Sequence, residues 1–228
     1  MYMKNLVIGL GEIGSAIQEI LECEGHDPFK NKIAEGQYDV IHICLPYNKN
    51  FIKIVKEYQK IFSPKLTIIH STVPIGTNDK LKSVASPCRG IHPYLKEGII
   101  TFDKGFGGEY GKEASLIFKD KLKGNPIYAD NRSIEAGKLW CTTQYGLNII
   151  LEKEIYKYCK ENNLDFNIVY TLWNKSYNEG YEKLGCPQFK KYILEHREGK
   201  IGGHCVLPNL PLLKGKIANF IKKINDSL

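Results

Sequence analysis

The chain has 228 residues, against roughly 100–200 for a usual domain, so it has room for one large domain or two modest ones with a real core. Its 43% apolar and 25% charged residues are ordinary globular composition and exclude disorder, collagen-like repeats and a coiled-coil rod. The net charge is +7, yet of 32 basic residues only Arg89, Arg132 and Arg197 are arginines and the lysines are spread along the chain, which speaks against nucleic acid as a partner.

No apolar run is long enough to cross a bilayer, and Met1–Ile8 lacks the layout of a signal peptide, so a cytoplasmic protein with no membrane partner is expected. Seven cysteines with no CxxC pair argue for reduced, mostly buried thiols, with neither a disulfide framework nor a metal site.

In chain order, Leu6–Leu10 reads as a short apolar strand, followed by Ile13, Ile17, Ile20 and Leu21 at helical spacing. Asp39–Leu45 is a second buried strand stopped by Pro46. Phe51, Ile54, Val55, Tyr58 and Phe62 give an amphipathic helix, and Leu66–His70 the next strand. This alternation predicts βαβ units and a parallel sheet. Shorter apolar pieces follow at Cys88–His92 and Ile127–Ala129, around a Gly-rich stretch at Gly105–Gly111 and a helix over Lys112–Leu122.

The texture changes near Ala129–Ser133. With Ser133 as N-cap, Leu139, Trp140, Leu147, Ile150, Leu151, Ile155 and Tyr158 recur at helical period, with no proline until Pro187. Asp165 caps a further helix, and Leu212–Ile224 reads as a short basic amphipathic helix packed on the body. The expected fold is therefore α/β: a Rossmann-type parallel sheet domain over residues 1–131, followed over residues 132–228 by an all-helical domain built on one long helix. That helix spreads its apolar surface widely through Trp140, Tyr145 and Ile149, as the spine of a homodimer would.

Gly9-Leu-Gly11-Glu12-Ile13-Gly14 follows the first strand and opens a helix, which is the context the dinucleotide fingerprint requires. The first glycine makes the turn, the second lets backbone approach a pyrophosphate, and the third allows close helix–strand packing. The helix start offers N–H groups to phosphates. Leu45 and Pro46, with Ser71 and Thr72 after the next strand, complete the expected cofactor edge. The acid that reads the ribose should end a second strand, but His26–Tyr38 holds no convincing one. Asp27 and Glu35 read equally well as surface charges, and Lys30 or Lys32 could meet a 2′-phosphate, so NAD is expected with NADP not excluded.

Four later segments stand in order: Ser71-Thr72-Val73-Pro74-Ile75-Gly76-Thr77, His92-Pro93-Tyr94-Leu95-Lys96-Glu97-Gly98, Glu135-Ala-Gly-Lys138-Leu139, and Ile201-Gly202-Gly203-His204-Cys205. With the glycine fingerprint they resemble the UDP-glucose/GDP-mannose dehydrogenase family over nearly the whole chain. The resemblance implies NAD-dependent oxidation of a sugar-like or other small polar alcohol, with a nucleotide sugar among the candidate substrates. Cys205 would be the nucleophile, Lys138 the group stabilising a substrate oxyanion, and Thr72 a water- or substrate-positioning residue. Glu135, Lys138 and Thr142 share one helix face by spacing. His204, beside the cysteine, is a further acid–base candidate, although it and His92 read more simply as hydrogen-bonded or substrate-contacting groups.

The chain also departs from the family pattern. Thr142 stands where the family has asparagine, Asn209 where it has aspartate, and Pro93-Tyr94 where it has a proline–glutamate pair. Neither Asn nor Tyr is a general base near neutral pH, so the redox half of the machinery reads as better kept than the hydrolytic half. The chain ends 23 residues after Cys205, where family members continue into a third domain, so any nucleotide on the substrate would be held differently. Two other readings compete with this one: a non-catalytic dinucleotide-binding sensor or interaction protein, and an S-adenosylmethionine-binding enzyme.

Overall fold

A computed structural model describes residues 3–90, 93–203 and 205–228. The chain divides into two compact units, Met1–Leu139 and Trp140–Leu228.

The first unit is built on five parallel strands: β1 (Asn5–Ile8), β2 (Glu24–His26), β3 (Val40–Ile43), β4 (Leu66–Ile69) and β5 (Val84–Ala85), in the order β2-β1-β3-β4-β5. The strands are apolar on both sides because both faces are covered. Along β1 the side chains alternate. Val7 joins α1 (Glu12–Leu21) through Ile17, Ile20 and Leu21, while Leu6 and Ile8 join α2 (Phe51–Phe62) through Phe51, Val55 and Phe62. The short helices α3 (Thr77–Leu81) and α4 (Leu95–Thr101) follow β4 and β5. A second, two-stranded parallel sheet, β6 (Lys104–Gly107) with β7 (Pro126–Ala129), encloses α5 (Gly111–Leu116) in its connection.

Three expectations need correction here. The second strand exists, but it lies before the segment in which it was sought: Glu24-Gly25-His26 pairs with Leu6–Ile8. It is too short and too polar to show a period of two. Around the apolar piece Cys88–His92 the strand is Val84–Ala85, ahead of it; Ile91 and His92 lie outside the described residues. The helix over Lys112–Leu122 ends at Leu116 and gives way to turns.

The long helix α6 (Asn131–Glu161) begins in the first unit and continues into the second. Its cap is Asp130 rather than Ser133. The Asp130 carboxylate accepts from the Ser133 N–H at 2.9 Å and from the Ser133 hydroxyl at 2.6 Å, holding its pKa below the usual carboxylate range. Asp165 caps the next helical run, accepting from the N–H groups of Asn167 and Ile168. That run opens as a π-helical segment, Asn167–Leu172, before α7 (Trp173–Lys183). The basic helix expected over Leu212–Ile224 is two pieces, α8 (Leu210–Leu213) and α9 (Lys216–Ser227). They are separated where Lys214 takes φ +47° and Gly215 is extended. The core of the second unit gathers Ile150, Ile201, Val206, Leu210, Ala218 and Ile221.

Candidate functional site

At the end of β1 each glycine of the fingerprint has its own physical reason. Gly9 sits at φ +88°, a conformation side chains rarely adopt, and a Cβ there would lie 2.7 Å from Leu45 Cδ2. A Cβ on Gly14 would fall 1.7 Å from the Gly9 carbonyl oxygen, so α1 packs on the turn only because that position is bare. Around Gly11 nothing lies within 4 Å of a built Cβ, so the backbone there borders open space. Gly11 is also the N-cap of α1 and no side chain caps it, which leaves the positive end of the helix dipole uncovered. Glu12 and Ile13 form the first turn.

Asp27 follows β2 directly and is 8% exposed, so it is no surface charge. Its Oδ2 accepts from the Leu10 N–H at 2.9 Å, inside the glycine turn, and its Oδ1 from the Phe29 N–H at 3.1 Å. The Lys30 ammonium donates to the Leu10 carbonyl on the same turn, while Lys32 and Glu35 are exposed. The chain therefore places an acid at the end of the second strand after all. Because β2 and β3 flank β1 on opposite sides, the crevice at the carboxyl ends of β1 and β3 is the topological switch point where such sheets bind ligands.

The crevice is bordered on the β3 side by Leu45 and exposed Pro46. The Ser71 hydroxyl donates to the Leu45 carbonyl at 2.6 Å, tying the loop after β4 to the end of β3. Thr72 lines a shallow cleft with Ser71, Asn78, Pro87, Glu135 and Lys138. The Glu135 carboxylate is buried and engaged by the loop ahead of α3: Oε2 accepts from the Gly76 N–H, and Oε1 accepts from the backbone N–H and side-chain amide of Asn78 at 2.8 and 2.7 Å. It thus supplies the cap that α3, starting from Gly76, lacks in its own sequence.

Beneath the carboxyl edge lies a polar cluster that the sequence reading missed. His42 and His70 stack with centroids 5.3 Å apart, His42 Nδ1 lies 3.1 Å from His70 Nε2, and His70 Nδ1 donates to the Ser86 carbonyl at 2.8 Å. The buried Lys104 ammonium donates to the same carbonyl at 2.9 Å and approaches Cys88 Sγ at 3.6 Å. Burial, with the Lys104 charge beside it, pulls His42 down to about 3 and His70 well below its ordinary value. Burial lowers Lys104 too and raises the Cys44 thiol well above its usual range. Two histidines inside otherwise apolar strand runs, VIHI and LTIIH, were the available signal.

In the second unit, Ile201 and Val206 are buried while Gly202, Gly203 and Cys205 are exposed, so the glycine–cysteine segment is pinned at both ends. A Cβ on Gly146 of α6 would meet Val206 Cγ1 at 2.7 Å, which explains a glycine in mid-helix. The Asn209 amide donates to the Cys205 carbonyl at 2.6 Å, closing the turn that follows the thiol. Thr142 is buried on α6. His204, like His92, lies outside the described residues.

No protein-family model and no curated protein matches the chain. Solved structures do. The UDP-D-ManNAc dehydrogenase of Pyrococcus horikoshii superposes with TM-score 0.70 at 15% identity, over 97% of this chain and 68% of that one. The UDP-N-acetyl-mannosamine dehydrogenase of Staphylococcus aureus gives 0.67 at 20%, over 98% and 67%. The chain shares the fold of these two enzymes. The chain spans about two thirds of those two enzymes. It also superposes on the Mycobacterium tuberculosis 3-hydroxyisobutyrate dehydrogenase with TM-score 0.72 at 14% identity, over 100% of this chain and 94% of that one.

On this fold the sequence-predicted residues fall into two groups. Gly9, Gly11, Glu12, Ile13, Gly14, Leu45, Pro46, Ser71 and Thr72 share the carboxyl edge of the sheet, with Lys138 and the occupied Glu135 in the adjoining cleft of the same unit. Cys205 and Asn209 belong to the second unit. Among the described residues no group of three or more His, Cys, Asp or Glu is arranged to hold a metal, and no helix is long and apolar enough to cross a membrane.

Proposed function

We propose that the protein is an NAD-dependent dehydrogenase that oxidises the CH–OH group of a sugar-like or other small polar metabolite. The observation that carries this reading is the Asp27 carboxylate held against the Gly9–Gly14 turn, at the end of β2 and beside the uncapped start of α1. A dinucleotide fits these residues: the open side of Gly11 admits a pyrophosphate, and the first turn of α1 supplies N–H donors. Each Asp27 oxygen accepts a single backbone N–H and keeps a lone pair for a ribose hydroxyl. A carboxylate there repels a 2′-phosphate, which favours NAD over NADP although Lys30 is close by.

Held by the Gly9–Gly14 turn and Asp27, NAD would supply a hydride acceptor for the alcohol carbon, with the hydroxyl proton passing to solvent. The chain's own residues do the rest. Lys138 stabilises the negative charge that develops on the substrate oxygen, and Thr72 orients the substrate at the cleft. The resemblance would give Cys205 a reversible addition of its S–H across the C=O of the product, sulfur to carbon and proton to oxygen, which reverses to release the aldehyde. Asn209 is neutral and its amide is spent on the Cys205 carbonyl, so it cannot activate water to carry the oxidation to the acid. With no base to hydrolyse a thioester, the productive outcome is the aldehyde, released after two electrons. The scaffold shared with a 3-hydroxyisobutyrate dehydrogenase brings hydroxy acids into the substrate panel beside nucleotide sugars.

Calorimetric titration with NAD, NADP and S-adenosylmethionine tests the cofactor, with NAD the tightest. A panel of nucleotide sugars and hydroxy acids then tests the reaction, read as one NADH per substrate consumed. Lys138→Ala should lower turnover by about 100-fold or more, the scale of a lost oxyanion partner. Tighter S-adenosylmethionine binding overturns the reading. So does biological activity that survives Lys138→Ala and Cys205→Ala while NAD still binds, which would make the chain a sensor.

A further inference from the structure

Residues 190–200 form a strap with no helix or strand, and this strap leads into the segment that carries Cys205. Ordering such a segment costs conformational entropy, so its attachments decide where the thiol sits. Asn178 of α7 holds Lys191 by its N–H and its carbonyl, and three further hydrogen bonds come from one stretch of α6. His196 Nδ1 donates to Glu152 Oε1 at 2.7 Å, the Lys153 ammonium donates to the Arg197 carbonyl, and the Tyr156 hydroxyl donates to Glu198 Oε1 at 3.1 Å. The His196 ring lies flat on Tyr156, with centroids 3.5 Å apart and planes 11° apart. Upstream, the Tyr170 hydroxyl accepts from the Leu194 N–H. Downstream, the Ile201 N–H donates to Asn225 of α9 at 2.6 Å.

The Glu152–His196 contact is unlike a surface ion pair. The Glu152 side chain is 3% exposed and that of His196 17%, so the carboxylate is nearly out of water and its removal from solvent is tolerable only with a donor in place. The other ring nitrogen, His196 Nε2, is buried without a hydrogen-bond partner, 3.7 Å from Glu198 Oε1. A histidine that leaves one nitrogen unsatisfied to keep the other on Glu152 is held there for that bond.

We infer that Glu152 and His196 are positioning residues: a clasp between α6 and the strap that fixes the loop presenting Cys205. The inference deepens the dehydrogenase reading and rests on it for the role of the thiol, but the clasp itself is testable without turnover.

The experiment uses the full chain. The alkylation rate of Cys205 by iodoacetamide is read by peptide mass spectrometry and normalised to exposed Cys141, and trypsin cleavage at Lys190, Lys191 and Arg197 is followed in parallel. In His196→Ala, strap cleavage should rise at least 10-fold and the relative alkylation rate of Cys205 should change at least threefold. His196→Asn, whose amide can donate from the place of Nδ1, should return both toward wild type. In Glu152→Met, which has no oxygen to accept, the imidazole ¹⁵N signal of a bonded Nδ1 should be lost. Cleavage and alkylation within twofold of wild type in His196→Ala overturn the clasp, as does a His196→Asn variant no better than alanine. If His196→Ala fails to fold, His196→Asn and Glu152→Met decide by the same readouts. Should Cys205→Ser retain full turnover, the catalytic reading of the thiol falls while the clasp is still judged by cleavage.

Discussion

At the scale of single residues, the buried histidines make a definite pH prediction. His42 is held neutral down to about pH 3, whereas in the unfolded chain it takes up a proton near 6.5. Below pH 6.5 the unfolded state therefore binds a proton that the folded state refuses, and stability falls as pH drops through that window toward 3. At pH 5 His42 alone should cost about 2 kcal/mol, with His70 adding in the same direction. Urea midpoints measured from pH 7.5 to 5 should fall steeply in wild type and less steeply in His42→Asn; equal slopes would refute the assignment. Glu135 makes a second prediction. Removing its carboxylate strands three donors, so Glu135→Ala should lose about 3 kcal/mol in chemical denaturation. Helical spacing grouped Glu135 with Lys138. It gave a face of a helix, however, and not the loop that occupies the carboxylate. Asp27 was passed over for a similar reason, because the strand that ends on it is three residues long and reads as a loop.

At the scale of elements, strands and helices with an apolar period were legible and those defined by their ends were less so. β1, β3, β4, α1 and α2 stand within one or two residues of their expected bounds, since burial on both sheet faces writes itself into composition. The missed features are terminations. α6 starts at a cap three residues ahead of Ser133, because Asp130 and Ser133 satisfy one another and either could have been the cap. The C-terminal helix breaks at Lys214, whose positive φ no residue-type signal announces. That break makes a test: Lys214→Gly relieves a left-handed backbone and should raise stability by about 0.5–1 kcal/mol, visible as a higher melting temperature.

At the scale of the whole molecule, the second unit leaves Trp140, Tyr158, Trp173, Tyr177 and Leu184 exposed. A second copy of the chain is the expected cover. Sedimentation at micromolar concentration should show a dimer in wild type and a smaller species in Trp173→Glu; a monomeric wild type would contradict this.

The long helix has one more consequence, for the order in which the chain acquires structure. The first turns of α6 are tied into the sheet unit by Asn131, which accepts from the Ala85 N–H and donates to the Ser83 carbonyl, and by Glu135. The costly step in helix formation is nucleation, and contacts belonging to the sheet are in place to assist it here. The helix then propagates past Leu139 from an existing nucleus into residues that carry Thr142, Glu152 and Tyr156. The second unit inherits its scaffold from the first, so the two should fold in sequence, sheet before strap.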